Sequence, residues 1–248
     1  MDAGWPAGYA KQHFETIDST NEEARRRALA GEAGPIWLYA DMQSAGRGRR
    51  GRTWVSPNGN LFATLLLRPD KPPAECAQLS FVTALALSDA LASLAPRAAF
   101  KLKWPNDVLA DGKKISGILL ESASGSGGAA PWLAIGVGVN LATHPADTPY
   151  PATALGAYGA VATPDAALSQ LASSFAKWYD IWARDGFAPI RDGWLARASG
   201  LGQRITARLS TEEASGVFEG IDDGGALILR QAGGKIRTIA AGDIFFGG

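Results

Sequence analysis

Residues 46–54 read GRGRRGRTW, and the residues after them constrain the fold more than the run itself. Gly46, Gly48 and Gly51 fit G-x-G-x-x-G, the fingerprint of a dinucleotide-binding turn. That turn works only where a strand leads into the first glycine and a helix opens near the third, so that the helix N-terminus meets the pyrophosphate. Here the apolar run before the motif ends near Ala40, several residues early. After Gly51 comes TWVSPNGN, whose Pro57 and Gly59 forbid a helix. The glycine match is accidental, and a dinucleotide fold built on it is excluded.

Two other readings of the four arginines remain, a nucleic-acid patch and a clamp for a small anion. Arginines bind phosphates bidentately, which suits both. The chain carries 24 Lys plus Arg against 24 Asp plus Glu, so no overall field draws it to nucleic acid or an anionic membrane. Anion recognition must be local. Glycines allow close backbone approach, arginines neutralise charge, and Trp54 offers a stacking face. A plain solvated loop is the bland alternative. Cys76 alone forms no internal disulfide, and with only His13 and His144 beside it a Cys/His zinc cluster has little to draw on. The N-terminus lacks a signal-peptide core and no apolar run is expected to reach transmembrane length, so a cytoplasmic protein is the default.

Along the chain, Thr20 and Glu23 form a T-x-x-E capping box at the head of a helix that stops near Gly31. PIWLYA (35–40) and NLFATLLLR (60–68) read as strands, and helical spacing from Glu75 to Leu94 predicts one long helix. AFKLKW (99–104) alternates like a strand, and Asp111–Gly112 is a type I′ hairpin signal inside DVLADGKKISGILLES (107–122). GSGGAA (125–130) reads as a flexible loop and WLAIGVGVNL (132–141) as a strand with glycines inside. Thr163–Pro164 opens a helix carried to about Trp182, and another is expected over Ile190–Ala198. After Gly200 the texture changes to short alternating runs (QRITARL, GVFEGI, ALILR, KIRTIA, DIFF), the mark of a small β module. The expected division is 1–199 and 200–248.

Three further stretches could carry chemistry. In KWPNDV (103–108), Asn106 and Asp107 follow Pro105 at a corner; Asp107 could hold Mg²⁺, pair with an arginine, or simply form the turn. In KKISGIL (113–119), adjacent lysines in a strand face opposite ways, so at most one of Lys113 and Lys114 enters a site. Gly117, Gly136 and Gly138 inside strands mark a backbone or ligand lying close to the sheet.

Taken in order, DSTN, QSAGRGRRGRTW, KWPND, KISGIL and IGVGVN resemble the biotin protein ligases, from about Phe14 to Asn140, with the β-rich tail similar to that family's C-terminal module. The resemblance implies an α+β fold: a mixed-sheet catalytic domain of the class II aminoacyl-tRNA synthetase and biotin–lipoate ligase type, followed by a small SH3-like β-barrel. DSTN at residue 18 leaves no room for the helix-turn-helix domain of the family's repressor members, so an enzyme without DNA binding is expected.

The activity implied is ATP-dependent activation of biotin as biotinyl-5′-AMP, then transfer to a lysine of a biotin carboxyl carrier domain, with Mg²⁺ accompanying ATP. By position, Ser19, Thr20, Asn21 and Gln43 would hydrogen-bond biotin's ureido head, with Gly117 and Gly136 lining its slot. Gly46, Arg47, Gly48 and Arg49 would close over biotin and the adenylate. Arg49, Arg50 and Arg52 would face phosphate, with Trp54 as anchor. Lys114 would contact both the biotin carboxylate and the α-phosphate, with Arg47 and Arg49 assisting; Lys113 is the fallback. Asn106, Asp107 and Asn140 belong on the nucleotide side. The arginine loop is expected to be mobile without ligand, and the chain to be a monomer or homodimer. The rivals are a lipoate-type ligase and, in another class, a nucleic-acid-binding adaptor.

Overall fold

A computed structural model describes residues 4–123, 130–148 and 150–246. The first part runs β1 (Ala10–Ile17), α1 (Thr20–Leu29), β2 (Ile36–Gln43), β3 (Leu61–Leu67), a single turn α2 (Pro73–Cys76), α3 (Leu79–Leu94), β4 (Phe100–Lys103), β5 (Asp107–Ala110), β6 (Lys113–Ser122) and β7 (Leu133–Val139), then α4 (Pro164–Asp185) and α5 (Phe187–Leu195). Its seven strands form one sheet in the order β1-β2-β3-β7-β6-β5-β4. Only β1–β2 is parallel; every other pair is antiparallel, so the sheet is mixed as expected. Strands β8 (Arg204–Arg208), β9 (Glu213–Ile221), β10 (Leu227–Arg230), β11 (Ile236–Ile239) and β12 (Asp243–Phe246) make a separate antiparallel sheet ordered β11-β10-β9-β8-β12.

Strand alternation assigns the two faces of the large sheet. Trp37 and Tyr39, Leu61, Ala63 and Leu65, and Ile135, Val137 and Val139 point to one side and join α3, α4 and α5 in the main core. Ile36, Leu38, Leu66 and Ala134 point the other way and pack under α1 against Ala24 and Ala28. On that second face β7 continues as Gly136 and Gly138, so this strand carries no side chain there beyond α1. The main core extends into the small sheet through Ile205, Phe218, Leu227 and Leu229. Trp104 donates its indole N–H to the Gly225 carbonyl at 3.0 Å, and Trp194 meets Phe218 edge-on at 6.4 Å.

Local expectations met the structure unevenly. Asp111 and Gly112 both take positive φ, 46° and 77°, as a type I′ turn requires. Thr163 caps α4, accepting from the Ala166 N–H at 3.2 Å. Residue 20 is not a cap, however: its hydroxyl is engaged by Gln43 and Thr64, and Ser19 is the N-cap, without a side-chain capping bond. The helix expected over 75–94 is broken at Ala77–Gln78, where Gln78 turns its amide to Trp182 and Asp223. Residues 73–94 do reach membrane-spanning length and apolarity, contrary to expectation. Leu79, Val82, Leu85 and Leu91 of this segment are buried in the protein core, as in a central helix of a globular domain. Strand β1, mostly exposed at the sheet edge, was not expected. Residues 125–129 of the expected glycine loop lie outside the described residues.

Gly225 takes φ 85°, and a Cβ there would stand 2.5 Å from Phe81 Cε2. Gly225→Ala is expected to destabilise by about 1–3 kcal/mol through overpacking, read as a lower urea midpoint with an unchanged m-value.

Candidate active site

One row of cross-strand neighbours organises the open face. Phe62, Gly138, Gly117, Asp107 and Lys103 are successive register partners across β3, β7, β6, β5 and β4. Cross-strand partners share a face, so bare backbone at Gly138 and Gly117 gives way to an acid and then a base. Above this row lies a cavity of about 400 Å³, in the range of small-molecule sites.

At one end, buried polar groups converge. Ser19, Thr20 and Asn21 open α1, each 5% exposed or less. Gln43 Oε1 accepts from the Thr20 N–H at 2.8 Å and its hydroxyl at 3.2 Å. Thr64 Oγ1 lies 2.8 Å from Thr20 Oγ1 and 2.6 Å from Asn21 Oδ1; its single proton serves only one of them at a time. Asn21 Nδ2 donates to Glu121 Oε2 at 2.7 Å. Gly136 makes this possible, since a Cβ there would fall 2.2 Å from Asn21 Oδ1.

The arginine loop folds back as a small ribbon. Gly48 N–H donates to Arg52 O at 2.7 Å and Trp54 N–H to Gly46 O at 2.9 Å, around a turn in which Arg50 and Gly51 take φ 57° and 71°. A Cβ on Gly46 would sit 2.5 Å from both Ser56 Oγ and Trp54 O, so the loop closes only over glycine. The Trp54 indole then lies on the glycine floor, 2.4 Å from where a Gly138 Cβ would be and 3.1 Å from that of Gly117.

Charge is concentrated at the other end. Lys114 Nζ pairs with Asp107 Oδ1 at 2.7 Å and sits 5.5 Å from the centre of the Trp54 ring. Asn106 holds the corner, donating to Ile118 O at 2.6 Å and accepting from Arg49 at 3.0 Å. Asn140, 4% exposed, donates to Thr153 O and so fixes the segment carrying Tyr150. Asp243, from β12, faces three guanidiniums: Arg49 at 3.3 Å, Arg50 at 3.6 Å, and Arg52 in a hydrogen-bonded pair. Burial pushes the Arg49 pKa below its ordinary value. Arg47 turns the opposite way, to Glu121 at 3.1 Å and Glu22 at 3.4 Å. Five basic side chains (Arg47, Arg49, Arg52, Lys103, Lys114) and three acidic ones (Asp107, Asp147, Asp243) line the cavity. Among the described residues it therefore favours an anion.

Of the residues singled out in the sequence, Ser19, Thr20, Asn21, Gln43, Arg47, Gly48, Arg49, Arg52, Trp54, Asn106, Asp107, Lys114, Gly117, Gly136 and Asn140 line this one cavity. Gly46 and Arg50 do not: Gly46 acts through loop closure, and Arg50 sits at the exposed turn. Lys113 is exposed on β6 while its neighbour Lys114 faces the cavity. Sequence reasoning missed Thr64, Glu121, Lys103, Tyr150 and Asp243. Thr64 alone left a local signal, a hydroxyl inside the apolar run LFATLLL.

Comparison with known proteins identifies the family. Residues 14–140 match the model of the Biotin/lipoate A/B protein ligase family, and residues 200–247 that of the biotin protein ligase C terminal domain. A biotin–[acetyl-CoA-carboxylase] ligase of Paracoccus denitrificans is 51% identical over 239 residues, 93% of this chain and 98% of the relative. One from Mycobacterium tuberculosis is 34% identical, with 91% and 85% covered. Among solved structures, the biotin protein ligase from Aquifex aeolicus in complex with biotin and ATP matches with a TM-score of 0.83 at 26% identity, covering 96% of this chain and 99% of that one. The chain belongs to the biotin/lipoate A/B protein ligase family.

Asp243→Asn removes the carboxylate shared by three guanidiniums. The loop is then expected to be cut by trypsin between 47 and 52 at least about tenfold faster, on the order of the net worth of one charge-assisted bond, with Tm little changed. Equal cleavage rates would mean that Asp243 does not hold the loop.

Proposed function

We propose that this chain is an ATP-dependent biotin–protein ligase, which makes biotinyl-5′-AMP and pyrophosphate and then transfers biotin to a lysine of a biotin carboxyl carrier domain. The observation that carries the reading is the polarity of this cavity. One end offers buried uncharged hydrogen-bonding groups; the other offers Lys114 paired to Asp107. A ligand with a polar, uncharged head and a carboxylate tail matches both ends.

In this reading the ureido head takes hydrogen bonds from Ser19, Thr20, Asn21 and Gln43, and its rings lie along Gly136 and Gly117. The tail carboxylate reaches Lys114. Carboxylate and triphosphate repel each other, and the point charge of Lys114 offsets that repulsion while following the negative charge from carboxylate to α-phosphate. Arg47 and Arg49, with Gly46 and Gly48 allowing the loop to close, cover the mixed anhydride and keep water from it. Arg50, Arg52 and Trp54 shape the nucleotide side with Asn106, Asp107 and Asn140. In the second step the carrier lysine's neutral amine attacks the acyl carbon; the C–N bond forms, the C–O bond to AMP breaks, AMP departs as the anion, and the nitrogen gives up one proton to solvent.

Mg²⁺ accompanies ATP in this reading. It is commonly held by one or two carboxylates together with substrate phosphates. Among the described residues no group of three His, Cys, Asp or Glu could hold a metal alone, and Asp107 stands as a single carboxylate beside Lys114. That donor set fits an ion brought in on the triphosphate, with Asp107 as its protein ligand and charge screening as its contribution. We place the activity in the cytoplasm, where ATP and carrier domains are at hand, and divide the chain into a catalytic part (1–199) and a β-rich part (200–248).

A lipoate-type ligase would share the activation chemistry. Its apolar dithiolane would offer the Thr20, Asn21 and Gln43 groups no hydrogen bond, so that this polar end would gain nothing from it. The deciding measurement is ATP–pyrophosphate exchange with biotin or lipoate, followed by covalent labelling of an apo carrier domain. Biotin alone is expected to support both; exchange with lipoate and not biotin would overturn the reading. Lys114→Ala is expected to lower exchange at least about 10³-fold, as for loss of a main electrostatic stabiliser, with unchanged Tm. Lys113→Ala should stay within twofold of the parent, on the order of a surface substitution; the reverse pattern would exchange the two lysines' roles.

A further inference from the structure

The uncharged end of the cavity must present its donors and acceptors the right way round, and the side-chain amides of Gln43 and Asn21 decide this. A primary amide has an acceptor on one side and two donors on the other, and its neighbours determine which way it lies. Gln43 is set by the backbone. The Thr20 N–H can only donate, so Oε1 lies there at 2.8 Å and Nε2 turns to Ser56 Oγ at 3.0 Å. Asn21 has no such guide on its Thr64 side. The Thr64 hydroxyl, 2.6 Å from Asn21 Oδ1, would serve equally if the amide were turned over, accepting from Nδ2 and giving its own proton to Thr20 Oγ1 at 2.8 Å. The choice is made at the other end, by Glu121. An ionised carboxylate only accepts, and it takes Asn21 Nδ2 at 2.7 Å. The Leu119 carbonyl lies on the same side but 3.5 Å away, at the limit of a hydrogen bond.

Glu121 reaches this place by strand alternation. Gly117, Leu119 and Glu121 stand two apart on β6 and pair with Gly138, Gly136 and Ala134 of β7, so they share the face that carries α1 and the cavity. Arg47 closes the other side of the carboxylate, 3.1 Å from the same Oε2 that receives Asn21. With both Nδ2 protons given to Glu121 and Leu119, Asn21 has only Oδ1 left for a ligand. Gln43 is the reverse: Thr20 occupies its Oε1 twice and Ser56 takes one Nε2 proton, which leaves one N–H. Both residues line the cavity. An acceptor beside a donor complements a ring that carries N–H next to C=O, as a cyclic urea does.

Resting on the ligase reading above, we infer that Glu121 is a positioning residue for biotin, acting through Asn21. It holds the amide so that Oδ1 accepts a ureido N–H while Gln43 donates to the ureido oxygen. Glu121 itself touches no reacting atom. With a residue at 121 that donates as well as accepts, Asn21 is free to turn over. It then sets N–H against N–H, and one hydrogen bond to the ligand is lost. Because Arg47 rests on the same carboxylate oxygen, the group that reads the ligand's head and the loop that covers it share one anchor.

The test titrates the full-length chain with biotin in the absence of ATP, by calorimetry. Glu121→Gln keeps the shape and an acceptor, yet supplies an N–H toward which Asn21 Oδ1 can turn. Its biotin Kd is expected to rise at least about threefold, on the order of one net hydrogen bond. The KM for ATP in biotin-dependent pyrophosphate exchange, at saturating biotin, should stay within about twofold; a role confined to folding would move both together and lower Tm. A double-mutant cycle identifies the residue through which Glu121 acts. In an Asn21→Ala background the factor by which Glu121→Gln weakens biotin binding should be at least about threefold smaller, the same one hydrogen bond. An unchanged Kd in Glu121→Gln would overturn the inference. So would an equal factor in both backgrounds, which would assign Glu121 to Arg47 alone. Should Asn21→Ala unfold, Asn21→Ser closes the cycle. A parent chain that binds no biotin would sink the ligase reading itself; a binding parent matched by Glu121→Gln would sink only this one.

Discussion

The alternation of β7 is the constraint on which the rest depends. Ile135 and Val137 point into the main core, while Gly136 and Gly138 on the opposite face leave the backbone bare. A methyl group at 136 would collide with Asn21, and one at 138 with the Trp54 indole. The same seven residues thus fix helix α1 against the sheet and leave a floor on which a flat ligand and an aromatic lid can lie. Loss of either glycine would cost the site before it cost the fold, because the apolar face that drives folding would be untouched.

The site's second requirement is electrostatic. Cations brought together for an anionic ligand repel one another until it arrives, and the protein answers with a few carboxylates placed at the margins. Asp107 holds Lys114, Asp243 holds Arg49, Arg50 and Arg52, and Glu22 and Glu121 hold Arg47. These pairs are only partly buried, where a net hydrogen bond to a charged group is worth about 1.5–3 kcal/mol. A polyphosphate can therefore compete for the same guanidiniums. Lys103 has rings beside it as well as these acids, with the Tyr150 ring centre 3.1 Å from its Nζ.

What the sequence made legible was local. The turn residues Asp111–Gly112 imposed their own φ signs, Thr163 supplied a cap, and the five short runs after Gly200 became five strands. Motif spacing brought fifteen of the chosen residues to one cavity wall, because the motifs lie on or beside the same face of the large sheet. The misses have physical causes too. KQHFETI carries little apolar alternation, since β1 is an edge strand exposed along most of its length. Thr20 reads as a cap until Gln43 and Thr64 claim its hydroxyl from elsewhere in the fold. Lys103 and Asp243 look like ordinary strand charges, and only tertiary contact shows that one lies over the Tyr150 ring and the other serves three guanidiniums.

The Arg49–Asp243 contact spans 194 positions. During synthesis the arginine loop therefore emerges long before its counter-charge does. Until β12 pairs with β8, three guanidiniums have no acid to gather around, and the large sheet can be complete while the loop above it is not. Activity becomes a late event in the life of the nascent chain, and a lesion confined to the last strand would be felt at the opposite end of the sequence.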